Sequence, residues 1–255
     1  MRFTQFLYFS TFPLLPIMAV QGRYVRWKMP KLPEAGGPPT GQTDGEGTPM
    51  RLLVLGESTA AGCGVADHTV ALSGQLAAAL SRRTGQAVAW RVVGRNGVTA
   101  RVTRQSLLPL IPIEPVDLVA IILGVNDTKD LTPARRWQRD LKQLFFDLRI
   151  RLGPTPLVVS GVPPMGSFPA LPPPLRQFLG LRAALMDAAL REAVAAAGQA
   201  IYAGPLTGLT PATFSIDRFH PGEAGYAQWA DGLADAAMGL LTEGGSRTPA
   251  DHSPR

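Results

Sequence analysis

Cysteine and charged side chains are scarce in this chain of 255 residues. Its one cysteine excludes an internal disulfide framework and any zinc site built on several cysteines. Charged residues make up only 17% of the chain, and its net charge is +6. The sequence has no run of five basic residues, which argues against nucleic acid as a partner. No cluster of His, Asp and Glu has metal-ligand spacing, so no metal or other cofactor is expected.

Glycine and proline are abundant instead. The chain has 27 glycines and 24 prolines, about a fifth of all residues, against an average of about 12%. They follow no Gly-x-y period, which excludes collagen, and the 45% hydrophobic content excludes a wholly disordered chain. The composition therefore predicts a folded domain with long, turn-rich loops.

The N-terminal arm, residues 1–31, is apolar from residue 3 to residue 20 and then basic, with Arg23, Arg26, Lys28 and Lys31. One interpretation of this arm is a cleaved signal peptide, but the sequence has no convincing cleavage site made of small residues. An arm that packs on the domain is a second interpretation. The length and the flanking cations favour a third, membrane association through residues 3–31, with the folded domain on the cytoplasmic side by the positive-inside rule. Export with an N-terminal signal is the alternative location.

Changes in composition divide the rest of the chain into three parts. Residues 32–49 are rich in proline and glycine without an apolar period, which is typical of a flexible linker. Residues 50–241 carry the apolar patterning of a folded domain, and residues 242–255 form a polar tail.

Within residues 50–241, short apolar runs alternate with longer amphipathic ones, as in βαβ units. The predicted strands cover residues 51–55, 89–93, 118–123, 157–160 and 200–202, and the predicted helices cover residues 72–83, 133–152, 179–197 and 222–241. This pattern predicts a three-layer α/β/α sandwich around a mostly parallel, five-stranded sheet. Ligands of such folds bind at the carboxyl ends of the strands.

Four polar segments follow the predicted strand ends. Ser58 lies in GESTAAG, Gly97 in RNG, Asn126 in GVND, and Asp217 and His220 in DRFHP. Taken singly, each segment is also what a turn, a helix cap or a structural His–Asp pair needs. The glycine spacing fits neither a P-loop nor a dinucleotide fingerprint. A carboxylate three positions before a histidine can bond its Nδ1–H and direct Nε2 toward a nucleophile.

Together and in this order, the four segments resemble the motif blocks of the SGNH (GDSL) hydrolase family over residues 51–241. The resemblance implies a flavodoxin-like fold, with Ser58 as nucleophile, His220 as base and Asp217 as the residue that orients it. It also implies an oxyanion hole formed by the backbone N–H groups of Ser58 and Gly97 and by the Asn126 side chain. Glu57 stands where the family has Asp, which puts the detailed geometry of this loop in question.

The loop at residues 162–174 is long, proline-rich and apolar, and it offers Met165, Phe168 and Leu171 as contacts for an acyl group. A loop that folds these side chains onto its own domain is the other interpretation. We expect a serine esterase that acts on a small-molecule or lipid ester. The alternatives are a carbohydrate O-deacetylase with the same machinery and a catalytically inactive binding module of the same fold.

Overall fold

The computed structural model describes residues 2–244, so most of the predicted polar tail lies outside the described residues. The described chain contains one six-stranded sheet in the order β1-β3-β2-β4-β5-β6. Its strands are β1 (Thr40–Gln42), β2 (Glu46–Gly56), β3 (Gln86–Gly94), β4 (Leu118–Ile122), β5 (Leu157–Val159) and β6 (Ala200–Tyr202). All neighbouring pairs are parallel except β1 with β3.

Helices cover both faces of the sheet. They are α1 (Arg2–Ser10), α2 (Leu15–Lys28), α3 (Leu72–Thr84), α4 (Ala100–Val102), α5 (Val125–Lys129), α6 (Ala134–Leu152), α7 (Leu175–Ala195) and α8 (Glu223–Gly244). A π-helical turn follows α4 at Thr103–Leu107, and single 3-10 turns lie at Phe12–Leu14, Leu108–Leu110, Met165–Ser167 and Pro211–Thr213. The predicted α/β/α sandwich with a mostly parallel sheet is confirmed.

The layers follow from the alternation of side chains along the strands, which sends successive residues to opposite faces. On β2, Leu53 and Leu55 pack in the core beneath α6 and α7, whereas Leu52 and Val54 pack in the core beneath α3 and α8. Because both faces are covered, the central strands are continuously apolar. This is the feature that made them predictable.

The sheet has six strands and not the predicted five, because β1 and the first residues of β2 lie in the stretch expected to be a flexible linker. β1 pairs with β3 through backbone hydrogen bonds, with Gly41 opposite Trp90. An edge strand of this kind needs no apolar alternation, so composition did not reveal it. Upstream, Ala35 N–H donates to Ala61 O at 2.9 Å, so residues before β1 also bond to the domain.

The N-terminal arm packs on α7. The ring of Tyr8 stacks on that of Phe178, with centroids 5.2 Å apart, and Met18 is only 3% exposed within the core. Gln21 fixes α2 to the start of α7: its Nε2 donates to Pro173 O at 2.7 Å and its Oε1 accepts from Leu175 N–H at 3.2 Å. Among residues 2–244, no helix combines the length and the apolar character needed to cross a membrane.

Candidate active site

Ser58 follows the carboxyl end of β2, in the first turn of a loop that leads to α3. Cys63 N–H donates to Ser58 O at 2.9 Å, which closes the turn. Gly64 then brings this loop against the segment that holds His220, since a Cβ on Gly64 would lie 2.4 Å from Pro221 O. A glycine is needed there also because φ is +107°. Sequence reasoning did not single out Gly64.

Asp217 and His220 lie on a tight turn just before α8. Ser215 N–H donates to His220 O at 2.9 Å, which closes the turn. Arg218 adopts a left-handed conformation at φ +59°, uncommon for a residue with a side chain. Asp217 Oδ1 accepts hydrogen bonds from the backbone N–H groups of Phe219 and His220, both at 2.9 Å. These bonds fix the orientation in which the carboxylate contacts the imidazole.

Ser58, His220 and Asp217 form a continuous hydrogen-bonded chain. Ser58 Oγ lies 3.0 Å from His220 Nε2, and His220 Nδ1 lies 2.6 Å from Asp217 Oδ2. Burial alone raises the pKa of Asp217, but the bonds from His220 and from the two backbone N–H groups outweigh it, and the net effect lowers that pKa. An ionised Asp217 accepts a hydrogen bond from Nδ1–H, which keeps the proton on Nδ1 and leaves Nε2 able to accept the hydroxyl proton of Ser58.

Two backbone donors of the predicted oxyanion hole have no acceptor. Among the described residues, the N–H groups of Ser58 and Gly97 donate to no protein atom within hydrogen-bond distance. Gly97 lies at φ +82° in the loop after β3, a conformation that glycine adopts without steric cost. The neighbouring Asn96 N–H donates to Glu34 Oε1 at 2.6 Å. Glu34, three residues after the N-terminal arm, thus holds the loop that carries Gly97, a contact the sequence did not indicate.

Asn126 is buried beside this site, but both hydrogens of its side-chain amide are engaged. Nδ2 donates to Glu57 Oε2 at 2.6 Å and to Val98 O at 3.0 Å. Glu57 accepts two more bonds, from the backbone N–H groups of Val125 and Asn126, both at 2.9 Å. The carboxylate of Glu57 therefore connects the loop that carries Ser58 to the segment that carries Asn126. This is what the Glu found in place of the family's Asp does in the structure.

Two buried carboxyl groups support these loops. Desolvation raises the pKa of Glu57 to about 7, against hydrogen bonds from Asn126 and Val125 that lower it. Desolvation likewise raises the pKa of Asp127 to about 6. Asp127 Oδ2 accepts from Ala100 N–H at 2.8 Å, which attaches α4 to α5. At pH 7 a larger fraction of each group is therefore protonated than in an exposed carboxyl group.

A narrow apolar cleft, partly open to solvent, is lined by Ser58 and His220. Besides these two residues it is lined by Thr59, Val125, Pro163, Phe168, Leu206, Leu209, Phe214, Phe219, Pro221 and Trp229. Phe168 contacts Phe214 and Phe219 edge to face, with centroids 5.5 and 5.1 Å away. Phe168 is the one of the three predicted acyl contacts that lines this cleft.

Met165 and Leu171 lie elsewhere. Both are in the core, at 0% and 4% exposure, and neither lines the cleft. The 3-10 turn at Met165–Ser167 packs tightly on α7, where a Cβ on Gly180 would lie 2.8 Å from Gly166 Cα. This contact turns Met165 inward. For these two residues the prediction is corrected, and the loop folds onto its own domain as in the alternative interpretation.

Other reactive groups near the site are enclosed. Cys63 is buried, and desolvation raises the pKa of its thiol to about 12, which leaves it protonated and inert at neutral pH. Within residues 2–244, no three His, Cys, Asp or Glu side chains come together in a way that could hold a metal ion.

Comparison with known proteins adds sequence evidence to this geometry. The sequence profile of the GDSL-like lipase/acylhydrolase family matches residues 54–228, a span that includes Ser58, Gly97, Asn126 and Asp217. A GDSL-like esterase of Mycobacterium tuberculosis is 29% identical over 201 residues, which is 76% of this chain and 63% of that protein. The chain thus spans less than two thirds of the length of this relative.

Solved structures share the fold at low sequence identity. A putative arylesterase from Agrobacterium tumefaciens superposes with a TM-score of 0.59 at 20% identity, over 75% of this chain and 100% of that one. A family 3 carbohydrate esterase from Clostridium thermocellum superposes with a TM-score of 0.62 at 14% identity, over 77% and 98%. At these identities the likeness establishes the architecture.

Proposed function

The chain belongs to the GDSL-like lipase/acylhydrolase family, and we propose that it hydrolyses carboxylic esters with Ser58 as the nucleophile. The observation that carries this proposal is the Ser58–His220–Asp217 chain, with links of 3.0 and 2.6 Å, at the inner end of an apolar cleft. Each residue type has the chemistry its place requires: a hydroxyl, an imidazole within reach of it and a buried carboxylate.

In the proposed reaction, His220 Nε2 takes the proton of Ser58 Oγ while the oxygen attacks the ester carbonyl carbon. The charge on the carbonyl oxygen is stabilised by the free N–H groups of Ser58 and Gly97. As third donor, Asn126 has to share a hydrogen that it now gives to Glu57 or Val98. His220 returns the proton to the leaving alcohol, and a water molecule activated by His220 then releases the acid.

The lining of the cleft favours substrates whose acyl group is apolar. Phe168, Phe214 and Phe219 form one wall, and few polar atoms other than those of Ser58, Thr59 and His220 face the space. Transferring each methylene of an acyl chain into such a site is worth about 0.8 kcal/mol. We therefore expect kcat/KM to rise with acyl length until the cleft is filled.

The test is an acyl-length series of p-nitrophenyl esters, together with labelling by a fluorophosphonate probe. We expect wild type to hydrolyse the esters and to be labelled, and Ser58→Ala and His220→Ala to lose at least about a thousandfold in kcat. Cys63→Ala serves as the matched control and should keep activity. Hydrolysis confined to acetylated sugars would favour the O-deacetylase, and a folded but inert wild type would favour the binding module.

The location predicted from the sequence, at a membrane with the catalytic domain on the cytoplasmic side, stays a proposal of the same kind. Its support is the cluster of four cations that follows the apolar part of the N-terminal arm, because basic segments are attracted to the anionic lipids of the cytoplasmic leaflet without having to cross it. Fractionation of cells that express the full chain, followed by protease treatment of intact spheroplasts, tests it. Degradation of the catalytic domain by external protease would overturn the cytoplasmic assignment.

A further inference from the structure

Exposed apolar side chains are concentrated on the N-terminal arm. More than half of the strongly exposed large apolar residues in the described part of the chain belong to it. They include Phe9 (60% exposed), Phe12 (40%), Ile17 (53%), Val20 (68%), Tyr24 (50%) and Trp27 (81%). Single exposed apolar residues are ordinary, but a cluster of this size on about twenty residues is typical of an interaction surface.

The opposite side of the same segment is already occupied. Tyr8 stacks on Phe178, Met18 is buried in the domain core, and Val25 and Met29 pack against that core. The arm therefore lies along α7 with a fixed orientation. Its outward side is exposed because the inward side is bound to the domain.

The charges on the outward side all have one sign. Arg23, Arg26, Lys28 and Lys31 are exposed, and no carboxylate of the described residues forms an ion pair with them. The first acidic residue of the chain is Glu34. Lys28 Nζ lies 5.5 Å from the centroid of the Tyr24 ring, so cations and amphipathic rings are intermixed. Trp and Tyr beside Lys and Arg are the side chains favoured where hydrocarbon meets lipid headgroups.

We propose that the outward side of the N-terminal arm is a docking surface for an anionic phospholipid membrane, on which the arm lies without crossing it. Apolar side chains would enter the acyl boundary, and the four cations would face acidic headgroups. A second copy of the chain fits less well. Two arms placed face to face would bring the cations of one against those of the other, with no acidic residue before Glu34 to compensate.

The N-terminal arm contacts the end of a loop that contributes to the candidate active site. Gln21 bonds to Pro173 and Leu175, at the end of the loop that supplies Phe168 to the cleft. Lys129 Nζ lies 5.9 Å from the ring centroid of Phe219, which lines the cleft. Desolvation and, to a smaller extent, the nearby charge of Arg26 lower the pKa of Lys129. A docked arm would thus hold the cleft close to the lipid; this functional consequence, unlike the docking itself, rests on the proposed ester hydrolysis.

Trp27 gives a direct readout of docking. The other three tryptophans, Trp90, Trp137 and Trp229, are at most 5% exposed, so a change in emission on adding vesicles reports on Trp27. The experiment uses the full chain with Ser58→Ala, which keeps lipid hydrolysis out of the measurement. Phosphatidylcholine vesicles with about one third phosphatidylglycerol should shift the emission to the blue and sediment the protein. Pure phosphatidylcholine should do so much less.

Two double variants separate the apolar and the electrostatic contributions. Val20→Ser with Trp27→Ser should weaken vesicle binding about tenfold or more, and Arg23→Glu with Arg26→Glu about twentyfold or more on anionic vesicles. The matched control is Leu110→Ser with Ile113→Ser, whose side chains are 64% and 83% exposed on the segment before β4. The control should bind like the parent.

Three results would overturn the proposal. The first is no sedimentation of the parent with anionic vesicles. The second is equal weakening by the Leu110/Ile113 control. The third is a dimer in solution whose dissociation, without lipid, shifts Trp27 emission to the red, because a second copy would then cover the surface. Activity is scored separately, on p-nitrophenyl esters with wild-type Ser58. Vesicle binding without hydrolysis would refute the proposed function and leave the docking surface intact.

Discussion

At the residue scale, the carboxylate of Asp217 tests the proposed chemistry most directly. Asp217→Asn keeps an oxygen for the backbone N–H groups of Phe219 and His220 but places an amide beside His220 Nδ1. The imidazole then loses the acceptor that keeps its proton on Nδ1. We expect kcat to fall about 10³–10⁴-fold with little change in thermal stability. Steady-state kinetics on p-nitrophenyl acetate and a thermal melt measure both, and unchanged kcat would remove Asp217 from the mechanism.

Glu57 predicts an unusual pH dependence of stability. Burial raises its pKa from 4.5 to about 7, so between these values the folded protein retains a proton that the unfolded chain has released. The free energy of unfolding should therefore fall as pH rises through this window, by at most about 3 kcal/mol from this group. The raised pKa of Asp127, about 6, acts in the same direction.

Urea titrations at pH 5, 6, 7 and 8 measure this dependence. In Glu57→Gln the curve of unfolding free energy against pH should be flatter than in wild type. The variant should also be less stable throughout, because its amide NH2 replaces one of the two accepting oxygens and faces a donor of either Val125 or Asn126. Parallel curves for the two proteins would show that Glu57 does not titrate in this range.

At the element scale, strands β2 to β6 and helices α3, α6, α7 and α8 could be predicted because their apolar pattern reports burial on a sheet. The pattern does not report pairing made by the backbone alone, and β1 depends on such pairing. Likewise, Met165 and Phe168 are both apolar and both buried in one loop, yet only Phe168 also lines the cleft, which depends on packing across the fold. The order of Ser58, Asn126, Asp217 and His220 was visible in sequence, whereas Glu34 and Gly64 act through contacts across the fold.

Glu34 links the segment that follows the N-terminal arm to the loop that carries Gly97. Without its carboxylate, Asn96 N–H loses its acceptor and the loop is less well fixed. We expect Glu34→Ala to lower kcat about three- to tenfold and to leave KM nearly unchanged, a fraction of the 10²–10³ that loss of a whole oxyanion donor costs. Glu34→Gln retains an accepting oxygen and should restore most of the activity.

The matched control for this prediction is Glu46→Ala, which removes another exposed carboxylate, at the start of β2. It should leave both kinetic constants unchanged. If Glu34→Gln were as impaired as Glu34→Ala, the charge of Glu34 and not its hydrogen bond would matter. If neither variant changed kcat, the hydrogen bond from Asn96 to Glu34 would not be needed to position Gly97.

At the scale of the whole molecule, the N-terminal arm has one side packed on the domain and one exposed side that we propose docks to lipid, and adjacent residues separate the two. Met18 is 3% exposed and belongs to the domain core, whereas Ile17 is 53% exposed on the outward side. Met18→Ser should lower the free energy of unfolding by about 2–4 kcal/mol, through lost packing and a buried hydroxyl. Ile17→Ser should change it by less than about 0.5 kcal/mol.

Vesicle binding should respond in the reverse order. Ile17→Ser removes an apolar group from the proposed docking surface, so its binding to anionic vesicles should weaken, while Met18→Ser should bind like its parent at temperatures where it remains folded. Because the two residues are neighbours with similar side-chain volume, the opposite responses cannot arise from a general loss of apolar character in the arm. Equal effects of the two substitutions on stability would mean that the arm does not pack on α7 as described. The assignment of its outward side as the docking surface would then be wrong.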